Sequence, residues 1–252
     1  MDLSGKVICV TGAARGIGQA YVTALAGFGA RMVAADLSDC SATVDLAAAA
    51  GGKAIAAGLD VTQMDSCKAM ADAAMQAYGR IDGLINNAAL YGTLKGGRFD
   101  TLLESDWDAA MAVNVKGIWN ACKAVVPHMK AAGGGSIINI SSLAASYGTP
   151  YVLHYTTSKA AVTGLTRGLA RELGRDRIRV NAIAPSAVLT DATQDFFADK
   201  ADQALETIRR MQSIQSNLRP DDLTGTAAWL MSEASLLVTG QTLAVDGGTY
   251  MG

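Results

Sequence analysis

A tyrosine and a lysine, Tyr155 and Lys159, stand four residues apart in the segment SSLAASYGTPYVLHYTTSK. On a helix this spacing places a phenol and an ammonium group on one face, one turn apart. A free phenol titrates near ~10, but a nearby cation favours the phenolate, so the pair could carry out acid–base chemistry. Ser142, thirteen residues before Tyr155, could donate a hydrogen bond to a substrate oxygen. The alternative is an ordinary exposed pair on a helix surface.

A glycine-rich turn follows the first apolar segment of the chain. KVICV precedes TGAARGIG, which is followed by a stretch of helical periodicity and a second apolar segment, RMVAAD. This order predicts a βαβ unit. Gly12, Gly16 and Gly18 would let the backbone approach a ligand closely, while the start of the helix would direct amide groups at an anion. The turn therefore predicts a phosphate-binding site.

Two charged residues bear on which dinucleotide such a site would hold. Asp36 ends the second predicted strand, where a carboxylate can bind the ribose hydroxyls of NAD and repel the 2′-phosphate of NADP. Arg15 lies inside the turn and could pair with that phosphate. Because Leu37 supplies no second cation, Asp36 outweighs Arg15 and NAD is favoured. The alternative is that both are ordinary surface charges.

Strand-like and helix-like segments alternate along the whole chain. This alternation, without repeats, predicts a single α/β domain over residues 1–252: a doubly wound, parallel seven-stranded sheet with helices on both faces. Residues 186–217 form a predicted insertion, a loop with a short helix that could close over a ligand. Predicted strands are 6–10, 31–36, 53–60, 81–89, 136–142, 178–185 and 241–248, and the longer predicted helices are 37–52, 64–78, 104–130, 155–173 and 221–232.

Composition excludes several classes of protein. A net charge of -2 and a pI near 5.7 leave no basic surface for nucleic acid. Apolar runs are shorter than the ~20 residues that span a bilayer. The four cysteines are scattered without a CxxC pair, the N-terminus has no signal-peptide layout, and we predict a cytoplasmic protein with no metal site.

The ordered motifs resemble the short-chain dehydrogenase/reductase family over nearly the whole chain. They are TGAARGIG, Asp60-Val61, NNAA, Asn114, Ser142, Tyr155, Lys159 and the segment from Pro185 to Thr190. The resemblance implies a Rossmann-type fold and interconversion of a secondary alcohol and its ketone. It makes Tyr155 the general acid in reduction and the general base in oxidation, with Lys159 lowering its pKa. Ser142 would orient the substrate oxygen, and Asn114 would hold a water linked to Lys159.

The resemblance also assigns binding residues and a homotetramer. For the cofactor it implies Gly12, Arg15, Gly16, Ile17, Gly18, Asp36, Leu37, Asp60, Val61, Asn87, Ala88, Tyr155, Lys159, Pro185, Val188 and Thr190. For the substrate it implies Ser142, Leu143, Tyr151, Tyr155, Ser186 and Phe196. Two departures are Ser186, where most relatives carry Gly, and NNAA in place of NNAG.

The expected substrate is a neutral, hydrophobic secondary alcohol or ketone, aryl or cyclic, because the predicted walls are apolar or neutral. Ser186, His154 and the ending TGQTLAVDGG resemble members that oxidise alcohols such as 1-phenylethanol. His154 itself we expect beside solvent at a helix start. One alternative is an NADPH-dependent 3-oxoacyl thioester reductase, which Arg15 supports. A further alternative is a non-catalytic dinucleotide-binding regulatory protein.

Overall fold

Seven β-strands form one parallel sheet in the order β3-β2-β1-β4-β5-β6-β7. The computed structural model describes residues 1–251 apart from the side chain of Ala198, so Gly252, the last residue of the predicted domain, lies outside the described residues. The predicted seven-stranded parallel sheet is confirmed. The strands are β1 Val7–Thr11, β2 Arg31–Asp36, β3 Lys53–Gly58, β4 Gly83–Asn86, β5 Gly135–Ile140, β6 Ile178–Pro185 and β7 Thr242–Val245.

Helices cover both faces of the sheet. Successive side chains of a strand point to opposite faces, so each strand contributes apolar side chains to a core on either side. In β1, Ile8 and Val10 are buried in one core with Leu25, whereas Cys9 is buried in a second core with Met70. The α-helices are α1 Gly16–Gly27, α2 Ser41–Ala49, α3 Met64–Tyr78, α4 Glu104–Met111, α5 Gly117–Ala131, α6 Ala144–Tyr147, α7 Leu153–Leu173, α8 Asp191–Phe197, α9 Ala201–Met211 and α10 Thr224–Met231. Among residues 1–251, no helix has both the length and the apolar character needed to cross a bilayer.

The order of the strands brings the predicted site residues together. From β1 the chain builds outward to β2 and β3, then returns to the other side of β1 as β4. Ligands of such sheets bind beyond the carboxyl ends of the strands, where the strand order reverses. Asp36, the last residue of β2, lies at this edge, and the loops that follow β1, β4 and β5 carry Gly12, Asn87 and Ser142 to it.

Helix α2 is shorter than the predicted helix over 37–52, since it begins at Ser41 and ends at Ala49. Asp36 explains the late start: its Oδ1 accepts a hydrogen bond from the Ser38 backbone N–H at 3.0 Å. This local turn offers the backbone an alternative to the helix. Residues 37–40 consequently remain a loop.

The predicted helix over 104–130 is interrupted. A π-helical turn, Ala112–Lys116, separates α4 from α5 and contains Asn114. Such turns insert an extra residue and occur frequently at functional sites. Pro127, expected to disturb the last turn, lies inside α5, which continues to Ala131.

The insertion over 186–217 contains more helix than predicted, namely α8 and α9. In α9, Leu205 is buried, while Glu206 forms ion pairs with Arg209 and Arg210. Pairs at these spacings stabilise a helix. The polar composition of the segment therefore concealed an amphipathic helix.

The turn after β1 depends on close approach of its glycines. Gly12 has a φ of +68°, and a Cβ on Gly18 would lie 2.1 Å from the Gly12 carbonyl oxygen. Gly18 thus allows α1 to begin directly against the turn.

We expect Gly18→Ala to lower the free energy of unfolding by ~2 kcal/mol or more, because the methyl group would overlap the Gly12 carbonyl and force the backbone to shift. The matched control is Gly225→Ala in α10, where a Cβ would meet nothing within 4 Å. That change should raise stability by ~0.5–1 kcal/mol, since alanine loses less backbone entropy on folding. Urea denaturation followed by circular dichroism measures both; a harmless Gly18→Ala change would contradict the packing argument.

Candidate active site

A cavity of about 1260 Å³ runs along the carboxyl edge of the sheet, from the end of β2 to the loop after β6. Of the predicted site residues, Gly18, Asn114 and Tyr151 do not line it. Those that line it are Gly12, Arg15, Gly16, Ile17, Asp36, Leu37, Asp60, Val61, Asn87, Ala88, Ser142, Leu143, Tyr155, Lys159, Pro185, Ser186, Val188, Thr190 and Phe196.

The N-terminus of α1 meets the cavity at Gly16 and Ile17. No side chain caps this terminus, and its first turn contains no acidic residue. Gly16 has a φ of +60°, and Thr190 is the nearest group to a Cβ built there, at 3.5 Å. The N–H groups and positive dipole of a helix N-terminus bind anions. This part of the cavity is therefore suited to a diphosphate.

Two carboxylates lie at the end of the cavity beyond β2. Asp36 is oriented by backbone N–H groups: Ala14 donates to Oδ2 and Ser38 to Oδ1, each at 3.0 Å. Asp39 also lines the cavity. Burial raises the pKa of the neighbouring Cys40 thiol to about 11, and both carboxylates add to the rise. Sequence analysis overlooked Asp39, although a second acid three residues after the strand-end Asp was a usable signal.

Asn87 and Ala88 hold the glycine turn against the end of β4. The Asn87 side-chain amide donates to the Gly12 carbonyl at 2.8 Å and to the Thr11 carbonyl at 3.1 Å. The Ala88 N–H donates to the Thr11 hydroxyl at 3.0 Å.

Beyond β3, Asp60 Oδ1 accepts from the Thr62 N–H and hydroxyl at 2.9 and 2.7 Å. Together with the bonds of Asn87 and Ala88, these bonds hold the residues after β1, β3 and β4 in place along the cavity.

The loop after β6 forms the opposite wall, beside Ser186. The Pro185 carbonyl accepts from the Leu143 N–H at 2.9 Å, which joins this loop to the one after β5. Val188 forms an isolated bridge with Leu218. The Thr190 hydroxyl lies 3.1 Å from that of Thr193 at the start of α8.

Tyr155, Lys159 and Ser142 converge at the centre of the cavity. Tyr155 lies in the first turn of α7, and Lys159 Nζ is 5.7 Å from the centre of its ring. Lys159 is 3% exposed, and its Nζ donates to the Ile140 carbonyl at 2.8 Å. Ser142 follows β5, where its hydroxyl accepts from the Ala144 N–H at 3.2 Å. A phenol, an ammonium group and a hydroxyl therefore face one space.

Burial shifts both titratable groups toward their neutral forms. It raises the pKa of Tyr155 to about 12, and a hydrogen bond with Ser142 opposes the rise. It lowers the pKa of Lys159 to about 8. The net direction for Tyr155 is opposite to the sequence expectation, because burial is the largest influence on the pKa of the phenol. At neutral pH, Tyr155 therefore carries its proton.

Asn114 is fully buried and bonded to protein groups. Its Oδ1 accepts from the Leu90 N–H at 2.7 Å, while its Nδ2 donates to the Leu90 carbonyl at 3.1 Å and the Ser158 hydroxyl at 3.0 Å. The amide thus fastens the segment after β4 to α7. The expected contact with a water stays a prediction.

Tyr151 and His154 lie elsewhere than sequence analysis placed them. Tyr151 has a φ of 64° and is 66% exposed, because the left-handed backbone before α7 turns its ring outward. His154 is 0% exposed rather than beside solvent. It is buried because both ring nitrogens have backbone partners, the Tyr155 N–H at 2.7 Å and the Lys95 carbonyl at 3.3 Å.

Aromatic rings form the wall beside Tyr155. Tyr91, from the segment after β4, stacks on Phe196 of α8 with ring centres 4.3 Å apart and lies 5.0 Å from the Tyr155 ring. Phe197 packs edge-on against Phe196 at 5.2 Å. Among the described lining residues, the lysine and arginine side chains are those of Arg15 and Lys159. The wall thus offers no further cation, and residues 1–251 contain no cluster of metal-ligating side chains.

These features together fit a nicotinamide dinucleotide. The glycine turn leaves space that a diphosphate could occupy, and Asp36, Tyr155 and Lys159 line the same cavity, where Asp36 would meet a ribose and the other two a nicotinamide. Such a cleft in a doubly wound sheet defines a Rossmann-type oxidoreductase.

Comparison with known proteins agrees with this class. The family model described as enoyl-(acyl carrier protein) reductase matches residues 12–250. The chain is 38% identical to 3-oxoacyl-(acyl-carrier-protein) reductase of Thermotoga maritima, covering 98% of this chain and 99% of the relative. It is 38% identical to 2-dehydro-3-deoxy-D-gluconate 5-dehydrogenase of Escherichia coli, covering 98% and 96%. A solved short-chain type dehydrogenase/reductase from Mycobacterium ulcerans superposes with a TM-score of 0.92 at 27% identity, covering 99% and 91%.

The chain belongs to the short-chain dehydrogenase/reductase family. It is therefore an oxidoreductase whose family uses a nicotinamide dinucleotide.

Lys159→Met tests the burial of the ammonium group. The native pKa of Lys159, about 8, lies below its ordinary value of 10.5. Between these values the unfolded chain binds a proton that the native chain does not, so stability rises with pH. We expect the stability of wild type relative to the variant to rise by up to about 3 kcal/mol from about pH 7 to about pH 10.5. Urea denaturation across pH measures it, and the exposed Lys53→Met change is the control; a falling difference would contradict the burial argument.

Proposed function

We propose that the protein is an NAD(H)-dependent oxidoreductase that interconverts a neutral, hydrophobic secondary alcohol and its ketone, aryl or cyclic. The observation that carries this proposal is a single cavity that joins Asp36 and Asp39 at one end to Tyr155, Lys159 and an aromatic wall at the other. The cofactor would supply and accept hydride.

The remaining chemistry is proton transfer to or from the substrate oxygen. Because the pKa of Tyr155 is raised to about 12, its hydroxyl carries a proton and acts as the general acid in ketone reduction. Ser142 donates a hydrogen bond that holds the substrate oxygen beside this hydroxyl. Lys159, protonated below a pKa of about 8, favours the phenolate that proton donation leaves behind. Alcohol oxidation is the reverse transfer: Tyr155 would have to lose its proton first, and the resulting phenolate, favoured by the charge of Lys159, would be the general base.

Electrostatics at the ribose end support NAD. The Asp36 carboxylate, fixed by the Ala14 and Ser38 N–H groups, would accept hydrogen bonds from ribose hydroxyls, and Asp39 adds a second negative charge. Both charges would repel a 2′-phosphate. Arg15 is exposed, so solvent screens its opposing attraction.

The wall of the cavity supports a neutral apolar substrate. Tyr91, Leu143, Phe196 and Phe197 present rings and an aliphatic side chain, and the described lining residues provide no cation there for a carboxylate or a phosphate besides Lys159. The named relatives act on an acyl thioester and on a sugar acid, so the substrate proposal depends on the wall rather than on the comparison.

Two alternatives each have a supporting observation. An NADPH-dependent 3-oxoacyl thioester reductase is supported by Arg15 at the turn and by the Thermotoga maritima relative. A non-catalytic dinucleotide-binding regulatory protein would need only the fold. It does not account for Ser142, Tyr155 and Lys159 facing one space. The homotetramer and the cytoplasmic location stay predictions.

Tyr155→Phe tests the proton-transfer role. We expect kcat to fall about 10³-fold, because the variant has no hydroxyl proton to transfer. Binding of NADH, measured by fluorescence titration, should change less than about 3-fold, since the ring remains. Tyr78→Phe, at the end of α3 outside the cavity, is the matched control. Unchanged turnover of Tyr155→Phe would exclude the mechanism, and a wild type without turnover would favour the regulatory alternative.

Initial rates with NAD and NADP, across aryl, cyclic and polyol alcohols, test the cofactor and the substrate. We expect a higher kcat/KM with NAD and with the aryl or cyclic members. Asp36→Asn should reduce the preference for NAD about 10-fold, since removing one charge within reach of a phosphate is worth ~1.4 kcal/mol. Asp65→Asn, exposed on α3, is the control. A wild-type preference for NADP would instead favour the thioester reductase.

A further inference from the structure

His154 is a buried group that the proton-transfer mechanism does not use. It is the second residue of α7, is 0% exposed and does not line the cavity. Its Nδ1 accepts a hydrogen bond from the Tyr155 backbone N–H at 2.7 Å, and its Nε2 lies 3.3 Å from the Lys95 carbonyl oxygen. A carbonyl only accepts, so Nε2 carries the proton and Nδ1 is the bare nitrogen.

These two bonds join Tyr155 to the segment after β4. The Tyr155 N–H belongs to the first turn of α7, where backbone donors have no partner within the helix. His154 satisfies that donor and simultaneously holds the carbonyl of Lys95. Most residues over 93–100 are exposed and form neither helix nor strand, so the position of this segment depends on individual hydrogen bonds.

A second set of bonds reaches the same segment from the other side of Tyr155. The Tyr155 carbonyl accepts from the Ser158 hydroxyl at 2.7 Å, and Ser158 Oγ accepts from Asn114 Nδ2 at 3.0 Å. Asn114 in turn binds both backbone groups of Leu90. Residues 90 and 95 are therefore fastened to the two peptide groups of Tyr155, one through Asn114 and one through His154.

Tyr91 lies between these two attachment points. Its ring is 5.0 Å from the Tyr155 ring and 4.3 Å from the Phe196 ring. The Gly97 N–H also donates to the Tyr151 carbonyl at 2.8 Å, just before α7. The position of Tyr91 relative to the reacting hydroxyl thus depends on bonds between this segment and the start of α7.

We propose that His154 is a positioning residue for substrate binding: through Lys95 it holds the 90–95 segment against α7 and so fixes Tyr91 as a wall beside Tyr155. This role rests on the proposed function only in that the substrate reacts at Tyr155. It predicts that loss of the Lys95 bond weakens substrate binding and leaves cofactor binding intact.

Two substitutions of His154 test its two hydrogen bonds separately. His154→Asn keeps an acceptor near the Nδ1 position but no longer reaches Lys95, whereas His154→Gln carries an amide donor near the Nε2 position. We expect the substrate KM to rise about 10-fold in His154→Asn and to stay within about 3-fold of wild type in His154→Gln. KM for the cofactor should be unchanged in both. His128→Asn, in α5 and outside the cavity, is the matched control.

A double-mutant cycle with Tyr91→Leu tests whether the effect passes through Tyr91. If it does, His154→Asn should raise KM less than about 2-fold in the Tyr91→Leu background, since coupled residues are not additive. If the two substitutions instead change KM independently of each other, the proposed route from His154 through Tyr91 is overturned. Equal KM values for wild type and His154→Asn would overturn the positioning role itself, whatever the change in thermal stability.

Hydrogen exchange of residues 90–100 provides a readout that needs no turnover. We expect faster exchange of this segment in His154→Asn than in His154→Gln or His128→Asn, because local opening becomes easier. Unchanged exchange would overturn the inference even in an inactive protein. Absence of turnover in wild type with faster exchange in His154→Asn would instead sink the proposed function alone.

Discussion

A buried ammonium group determines how the active site is assembled. Lys159 is 3% exposed, and its Nζ donates to the carbonyl of Ile140, the last residue of β5. Removing a charge from water costs several kcal/mol, so such a group must retain a strong acceptor. The bond therefore fixes how α7 lies on β5, and the Ser141 hydroxyl strengthens the same contact by donating to the Lys159 carbonyl at 2.9 Å. Tyr155, one turn earlier, takes its position from these bonds.

The close approach of β1 to β4 sets the other half of the cavity. Gly12 lies against Ala88 so closely that a Cβ would be 2.7 Å from the Ala88 Cα. Asn87 closes this contact by donating to the Gly12 carbonyl. Because the same segment then continues to Tyr91, one loop after β4 holds the glycine turn on one side and forms the cavity wall beside Tyr155 on the other.

The sheet and the participants in the site could be predicted from the sequence because each has a strong local signal. Parallel strands are buried on both faces, so they appear as short apolar runs such as that of β1. Glycines, Asp36 and the Tyr155–Lys159 spacing carry chemistry that few other residue types supply. The ends of elements were less predictable, as the Asp36–Ser38 turn before α2 and the π turn at Asn114 show. Both depend on tertiary or side-chain hydrogen bonds that no periodicity records.

Burial explains why the sequence predicted neither the environment of His154 nor the direction in which the pKa of Tyr155 is shifted. A histidine at a helix start is ordinarily solvated, whereas His154 is 0% exposed and its Nε2 lies 3.3 Å from the Lys95 carbonyl oxygen. Tyr155 is half-buried beside the same segment after β4, and desolvation is the largest influence on the pKa of its phenol. The packing that surrounds Tyr155 therefore also favours the protonated phenol. The protonation state of Tyr155 depends on this packing, and a change that exposes the phenol to water would lower its pKa toward the ordinary value.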